Sequence, residues 1–220
     1  MLEVLRRGVG DSSDVGLIDG PRGKAQLVEI SESALTLAFT WSLPPPPLDP
    51  IRLVVGLARP QTARKILQDA STLGVAEITF VRTERSEPSY AQSTLWSGGE
   101  WRRHIVAGAE QAFATQLPIV RWDQTLLEAV AEKKTSRRVA LDNYEATSAL
   151  LAYSLSGDTN QNSDRSLTLA VGGERGWTNR EREALRDHGF TLAHLGERVL
   201  RTETAVVASL AIVKAALGFS

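Results

Sequence analysis

The stretch whose reading decides the fold runs from Phe190 to Gly218, "FTLAHLGERVLRTETAVVASLAIVKAALG". "FTLAHL" has the short apolar pattern of a buried strand, and Thr202–Leu217 carries apolar residues without a proline or glycine, which predicts a helix. Gly196 makes the turn between them. Thr202 is placed to cap the helix, Val199 and Leu200 to turn inward, and the apolar run after Ala205 predicts a helix buried on all sides. Glu203 in the first turn is favoured by the helix dipole and needs no further reason. Arg198 and Arg201 do need one, because they crowd the positive pole of a helix. Arginine at that end points to a nearby anion, a phosphate or a carboxylate, and so to a nucleotide or nucleic acid.

Working upstream, strand and helix patterns alternate. "IRLVVGLA" (Ile51–Ala58), "AEITFV", "RRVALD" and "SLTLAVG" read as strands. Ala63, Ile66, Leu67, Ala70 and Leu73 recur at helical spacing, closed by Gly74. Trp101–Phe113 and "TLLEAVAEKK" are expected to be helical, and a short helix pattern precedes the polar, mobile loop "SGDTNQNSDRS". Thr178 and Glu181 form a capping box opening "NREREALRDH", stopped by Gly189. Strands alternating with helices predict an α/β fold with a mostly parallel sheet flanked by helices. "SLPPPPLDP" (Ser42–Pro50) is a stiff connector, so the domains are expected at 1–43, a proline-rich linker at 44–50, and 51–220. The N-terminal piece, with "QLVEI" and "ALTLAFTW" as strands, is near the size at which a lone core is marginal.

The chain has 220 residues, 42% of them hydrophobic, no cysteine and a net charge of −1. A core is affordable by composition, disulfides and thiolate metal sites are excluded, and no apolar run has the length of a membrane span. A cytoplasmic protein with no membrane association is the expectation. A protein that coats nucleic acid is usually strongly basic, so any such contact must come from a local patch. The strand at Ile51 is followed by "RPQTARK", without the dinucleotide glycine fingerprint, and no Walker-type loop or nucleophile elbow occurs. His104, His188 and His194 lack metal-ligand spacing, and no metal is expected.

Two segments carry chemistry, "VGGERGWTNRE" and the opening stretch, and both follow predicted strands at the end where open α/β sheets bind ligands. Gly172, Gly173 and Gly176 let a backbone approach a ligand closely, although a tight, well-capped turn explains them equally well.

At these segments the sequence resembles the RsmE-type ribosomal RNA methyltransferases of the SPOUT superfamily. "VGGERGWTNRE" is similar to the family's G-P-E-G-G-[FWL]-[ST]-x-x-E motif and "LGERVLRTETA" to its L-G-x-R-I-L-R-x-E-T-A motif. "DASTLGVAEITFVRTERS", "AGAEQAFATQLP" and "EVLRRGVGD" resemble further family segments. The resemblance implies a trefoil-knotted domain, a small N-terminal PUA-like β-domain, a homodimer, and S-adenosyl-L-methionine as methyl donor to N3 of a uridine in 16S ribosomal RNA or the small ribosomal subunit. It assigns cofactor contacts to Val171, Gly172, Gly173, Glu174 and Gly176 in one loop, and to Leu195, Gly196, Val199, Leu200, Arg201 and Thr204 in the other. Arg201 and Glu203 are the candidate catalytic residues, with Glu203 open between base and cap. Arg82, Arg85, Arg175 and Arg198 are candidate RNA-phosphate contacts. The family proline is Gly173 here, a family glycine is Arg175, and the arginine after E-Q is Ala114. The chain begins at the V-L-R segment, so the PUA-like domain is expected to be incomplete. The alternative is an RNA-binding assembly factor that keeps the knotted fold with weakened catalysis.

Overall fold

The structure is a computed structural model and describes residues 8–42, 44–132, 135–155 and 164–219. The chain divides into two compact units, one of the described residues up to Pro47 with Phe113–Leu117, the other of Leu48–Ala112 with the described residues from Pro118.

In the small unit, β1 (Ser12–Gly16), β2 (Arg22–Ile30) and β3 (Leu35–Trp41) form an antiparallel sheet in that order. Ala25 lies opposite Phe39 and Leu27 opposite Leu37, and a bulge between Leu27 and Glu29 shifts the register. Ala25 and Leu27 are buried, whereas β3 is exposed along its length. Phe113–Leu117 joins this unit from far along the chain. Asp19 N–H donates to the Thr115 carbonyl (2.8 Å), Thr115 Oγ1 to the Gly20 carbonyl (2.6 Å) and Leu117 N–H to Asp19 Oδ1 (3.0 Å). No sequence pattern announced this return.

The large unit is built on seven strands, β4 (Asp49–Gly56), β5 (Val75–Arg82), β6 (Ile119–Thr125), β7 (Arg137–Leu141), β8 (Ser148–Ala149), β9 (Leu167–Val171) and β10 (Thr191–His194). Their order is β6-β5-β4-β9-β7-β10-β8, and every pairing is parallel. Parallel neighbours need crossovers. These contain α1 (Pro60–Thr72), α2 (Thr94–Ser97), α3 (Glu100–Gln111), α4 (Leu126–Glu132), α5 (Leu150–Leu155) and α6 (Asn179–Asp187), with α7 (Thr202–Leu217) closing the chain. The central strands are covered on both faces, so Leu53, Val54, Val55, Leu169 and Ala170 are fully buried. From β4 the chain builds outward to β5 and β6, whereas β9, β7 and β10 lie on the other side. The C-terminal ends of β4 and β9 therefore flank a topological switch point, where ligands bind in such sheets.

The capping box forms as predicted. Glu181 N–H donates to Thr178 Oγ1 (3.3 Å) and Thr178 N–H to Glu181 Oε2 (2.8 Å), while Glu181 Oε1 also accepts the Glu84 N–H (2.8 Å). Four expectations change. β1, β6 and β8 were not legible as strands, because they are polar, at an edge, or only two residues long. α3 ends at Gln111 rather than Phe113, which adopts a left-handed φ of 52°. α4 begins at Leu126, after a strand that takes Thr125. Finally, α7 is not buried all round. It packs against α1 and α5, leaving Thr204, Val207, Ala211 and Ala215 exposed along one face. Of the expected mobile loop, residues 156–163 lie outside the described residues.

Candidate functional site

A cavity of about 700 Å³ opens at the C-terminal ends of β7, β9 and β10, and its wall is completed by the first turns of α1 and α7. That size falls within the range of small-molecule and cofactor sites.

The loop after β9 presses against the end of β4. A Cβ on Gly56 would lie 2.4 Å from Gly173 N, and one on Gly172 would lie 3.0 Å from Gly176 Cα. Gly176 has φ +63°, which an L side chain rarely adopts, and its N–H closes the turn onto the Gly173 carbonyl (2.9 Å). Glu174 Oε1 accepts the Arg59 N–H at 3.0 Å, tying the loop to the start of α1. Trp177, only 1% exposed, forms the base of the site and donates from Nε1 to the Leu141 carbonyl at 3.0 Å. One indole thus joins the loops after β9 and β7.

The loop after β10 departs from expectation. Gly196 makes the turn at φ +113°, its N–H donating to His194 Nδ1 at 3.1 Å. Val199 is 81% exposed and Leu200 36%, so neither packs inward; both line the cavity. An apolar side chain held open in this way offers a flat contact to an apolar or aromatic ligand surface. Thr202 does not cap α7. It is the first helical residue and buried, and Arg201 occupies the cap position without a side-chain cap hydrogen bond. The helix start is instead served by Glu203. Its carboxylate accepts its own backbone N–H, and this bond together with Lys65 and Arg201 outweighs partial burial and holds its pKa below the usual carboxylate range. Lys65 Nζ lies 3.4 Å from Glu203 Oε1. Among the described residues no carboxylate forms an ion pair with Arg198 or Arg201, although Arg201 is near enough to Glu203 to lower its pKa, and both arginines line the cavity.

Sequence reading missed the loop after β7. Asp142 Oδ1 accepts the N–H groups of Tyr144 (2.8 Å) and Glu145 (2.6 Å), and Oδ2 accepts Arg182 Nε at 2.7 Å. Burial pushes the Asp142 carboxyl up, but Arg182 and the two backbone donors prevail and hold it low. The Arg182 guanidinium lies 5.1 Å from the centre of the Tyr144 ring, fixing that ring at the cavity mouth. The available signal was the acid that follows the predicted strand "RRVAL" at the same sheet end as the glycine loop.

The fold brings together Val171, Gly172, Gly173, Glu174, Arg175, Gly176, Leu195, Arg198, Val199, Leu200, Arg201 and Glu203. Gly196 and Thr204 lie outside the lining; the first shapes the turn and the second is exposed on α7. Arg85 lines a smaller neighbouring cavity of about 180 Å³, together with Arg175. Arg82 lines neither and pairs with Asp123 at 3.4 Å. Among the described residues no cluster suited to a metal ion occurs, and no helix is long and apolar enough to cross a membrane.

Residues 44–214 match the family model of the RNA methyltransferase domain. The chain is 33% identical over 219 residues to ribosomal RNA small subunit methyltransferase E of Treponema pallidum (strain Nichols), covering 96% of this chain and 80% of that protein. It is 29% identical to the protein of the same name from Synechocystis sp., covering 97% and 69%. Its fold is similar to that of a methyltransferase E from Neisseria gonorrhoeae bound to S-adenosyl methionine (TM-score 0.78, 23% identity, 100% and 89% of the two chains). It is also similar to a methyltransferase from Legionella pneumophila in complex with the same cofactor (TM-score 0.77, 24% identity, 98% and 87%). With the family model spanning most of the chain and a relative above 30% identity over nearly all of it, the chain belongs to the RNA methyltransferase domain family, among the ribosomal RNA small subunit methyltransferase E proteins.

Proposed function

We propose that this protein transfers a methyl group from S-adenosylmethionine to N3 of a uridine in small-subunit ribosomal RNA. The observation that carries the reading is the single cavity in which the glycine loop after β9 meets the arginine-bearing loop after β10. The residues fit the cofactor. Gly172, Gly173 and Gly176 line the cavity without side chains, and at Gly172 a Cβ would come within 3.0 Å of Gly176 Cα. Val199 and Leu200 offer apolar contact for a purine, and Glu174 and Glu203 offer carboxylates to hydroxyl or ammonium groups. When bound, S-adenosylmethionine supplies an already activated methyl group, so the chain's own task is positioning and charge control.

Uridine N3 must lose its proton before it is a good nucleophile. Arg201, lining the cavity without a direct ion pair among the described residues, stabilises the negative charge that then spreads over the base oxygens. Glu203 has two readings, a base for that proton or an acid that serves the helix start, and its bonds to its own amide and to Lys65 and its lowered pKa weaken it as a base. Arg198 and Arg175 extend the positive rim toward the phosphate backbone. Asp142 and Arg182 hold the loop that carries Tyr144.

The remaining parts of the reading are a trefoil-knotted large unit, a PUA-like small unit and a homodimer. Support for the dimer comes from α7, whose exposed face of Val207, Ala211 and Ala215 is small and apolar, as suits close helix packing. The intact cavity favours catalysis over the assembly-factor alternative. The test is mass mapping of ribosomal RNA nucleosides from a strain lacking the gene, with and without its restoration. Loss and return of one N3-methyluridine is expected; an unchanged nucleoside profile refutes the reading.

A further inference from the structure

We propose that the smaller cavity is a subsite for a phosphodiester of the RNA strand, and that Glu87 holds the place of that anion in the free protein. The proposal rests on the methyltransferase reading above and gives it a specific point of substrate contact.

The cavity of about 180 Å³ is below the size of sites that enclose a whole small molecule, so it suits a group rather than a molecule. It shares Arg59 and the Gly173–Gly176 backbone with the large cavity. A strand whose base enters the large cavity therefore passes the small one within the same loop. Three arginines, Arg59, Arg85 and Arg175, and two glutamates, Glu87 and Glu174, line the small cavity, with Arg59 Nε 4.0 Å from Glu174 Oε1. The two carboxylates are not equivalent. Glu174 is engaged structurally, accepting the Arg59 N–H at 3.0 Å. Glu87 has a single side-chain partner among the described residues, Arg175 Nη2 at 3.3 Å, and the two side chains are 49% and 66% exposed.

Such an exposed pair is weak and screened, and so is easily exchanged. Arg85 Nη1 donates to the Arg175 carbonyl at 2.8 Å, which holds the Arg85 side chain against the same wall. A phosphodiester that displaces Glu87 enters a cavity lined by Arg85 and Arg175, whereas Glu87 pairs with Arg175 alone among the described residues. Glu87 then turns to solvent, and its ionic bond to Arg175 is replaced by a stronger one. Because a phosphodiester must first break the Glu87–Arg175 pair, Glu87 competes with it and lowers affinity for a strand that reaches the subsite.

The test measures anisotropy of a labelled transcript of small-subunit ribosomal RNA with the full chain across a salt series, beside calorimetry with S-adenosylmethionine. Arg175→Ala is expected to weaken RNA binding several-fold and to reduce the salt slope by about one, with a smaller effect on the cofactor. Glu87→Gln is expected to tighten RNA binding by about two- to fivefold, with cofactor affinity unchanged. Thermal melts confirm that both variants fold. Unchanged RNA affinity and slope in Arg175→Ala, or weakened RNA binding in Glu87→Gln, overturns the subsite. So does a larger loss of cofactor than of RNA in Arg175→Ala, which assigns the cavity to the cofactor instead. If the unsubstituted protein binds the cofactor but neither the transcript nor small ribosomal subunits, the methyltransferase reading itself fails; if it binds and methylates either one while Arg175→Ala behaves identically, only the subsite fails.

Discussion

Substituting Gly56 by alanine tests whether the glycine loop after β9 holds the cofactor. The added methyl carbon would sit 2.4 Å from Gly173 N, 3.0 Å from Gly173 Cα and 3.1 Å from Thr83 Cγ2. Two of these three neighbours are backbone atoms and cannot rotate aside. To regain an ordinary separation of about 3.5 Å, the loop must retreat by roughly 1 Å. Overpacking of this kind costs about 1–3 kcal/mol, which lowers Tm by about 2 to 12 °C for a chain of this length. A retreat of that size also breaks hydrogen bonds from the loop amides to a ligand. Two such bonds, at about 0.5–1.5 kcal/mol each, correspond to a roughly 5- to 150-fold loss of affinity. The assay is calorimetric titration with S-adenosylmethionine, with Gly108→Ala as comparison. A Cβ on Gly108 would lie 2.3 Å from the Gln68 carbonyl oxygen, between α1 and α3, outside the cavity lining. Both variants are expected to lose stability, and only Gly56→Ala to lose the cofactor. Cofactor affinity within twofold of the unsubstituted protein in Gly56→Ala, or an equal loss in Gly108→Ala, would refute the reasoning.

Arg201→Ala is expected to lower methyl transfer far more than cofactor affinity; equal losses would remove Arg201 from catalysis. Asp142→Ala leaves Arg182, 6% exposed, without its closest carboxylate. Breaking a buried pair costs about 3–5 kcal/mol, and the residual contacts to Asn179 (2.9 Å) and Glu145 (3.5 Å) place the expected loss at the lower end, read as a Tm drop of about 6–12 °C. Because the folded Asp142 pKa is depressed, its stabilisation is present above the ordinary aspartate value of about 3.9 and is lost as pH falls through the folded value. Asp142→Asn is therefore expected to flatten the acid limb of a Tm-against-pH curve, and an unchanged limb would contradict the pairing. Val207→Glu on the exposed face of α7 is expected to shift sedimentation from the proposed dimer to monomer without unfolding the chain; a monomeric unsubstituted protein would refute the dimer, and a variant still dimeric would refute the α7 contact.

Some of this protein was legible in the chain alone. Helices and central strands announce themselves by local periodicity, and Thr178 and Glu181 form their capping box from neighbours three residues apart. The glycine and arginine loops were legible because both follow predicted strands at the sheet end where ligands bind, and because arginines crowding the positive end of a helix have few structural uses, whereas the glycines alone fitted a tight turn equally well. Glu203 was read correctly as a first-turn acid, but its partner Lys65, 138 residues away, was not. Val199 and Leu200 were expected inside because apolar residues usually are, yet the loop leaves them facing the cavity.

What tertiary structure alone decided is the order of the strands. Periodicity reports the period and buried face of an element, whereas pairing in a parallel sheet joins residues far apart in sequence, with no local signal for which neighbour is chosen. Placing β9 between β4 and β7, with β10 beyond β7, brings Lys65, Asp142, the glycine loop and Arg201 around one cavity. The chain itself set which groups were available for chemistry, and the sheet order decided which of them meet.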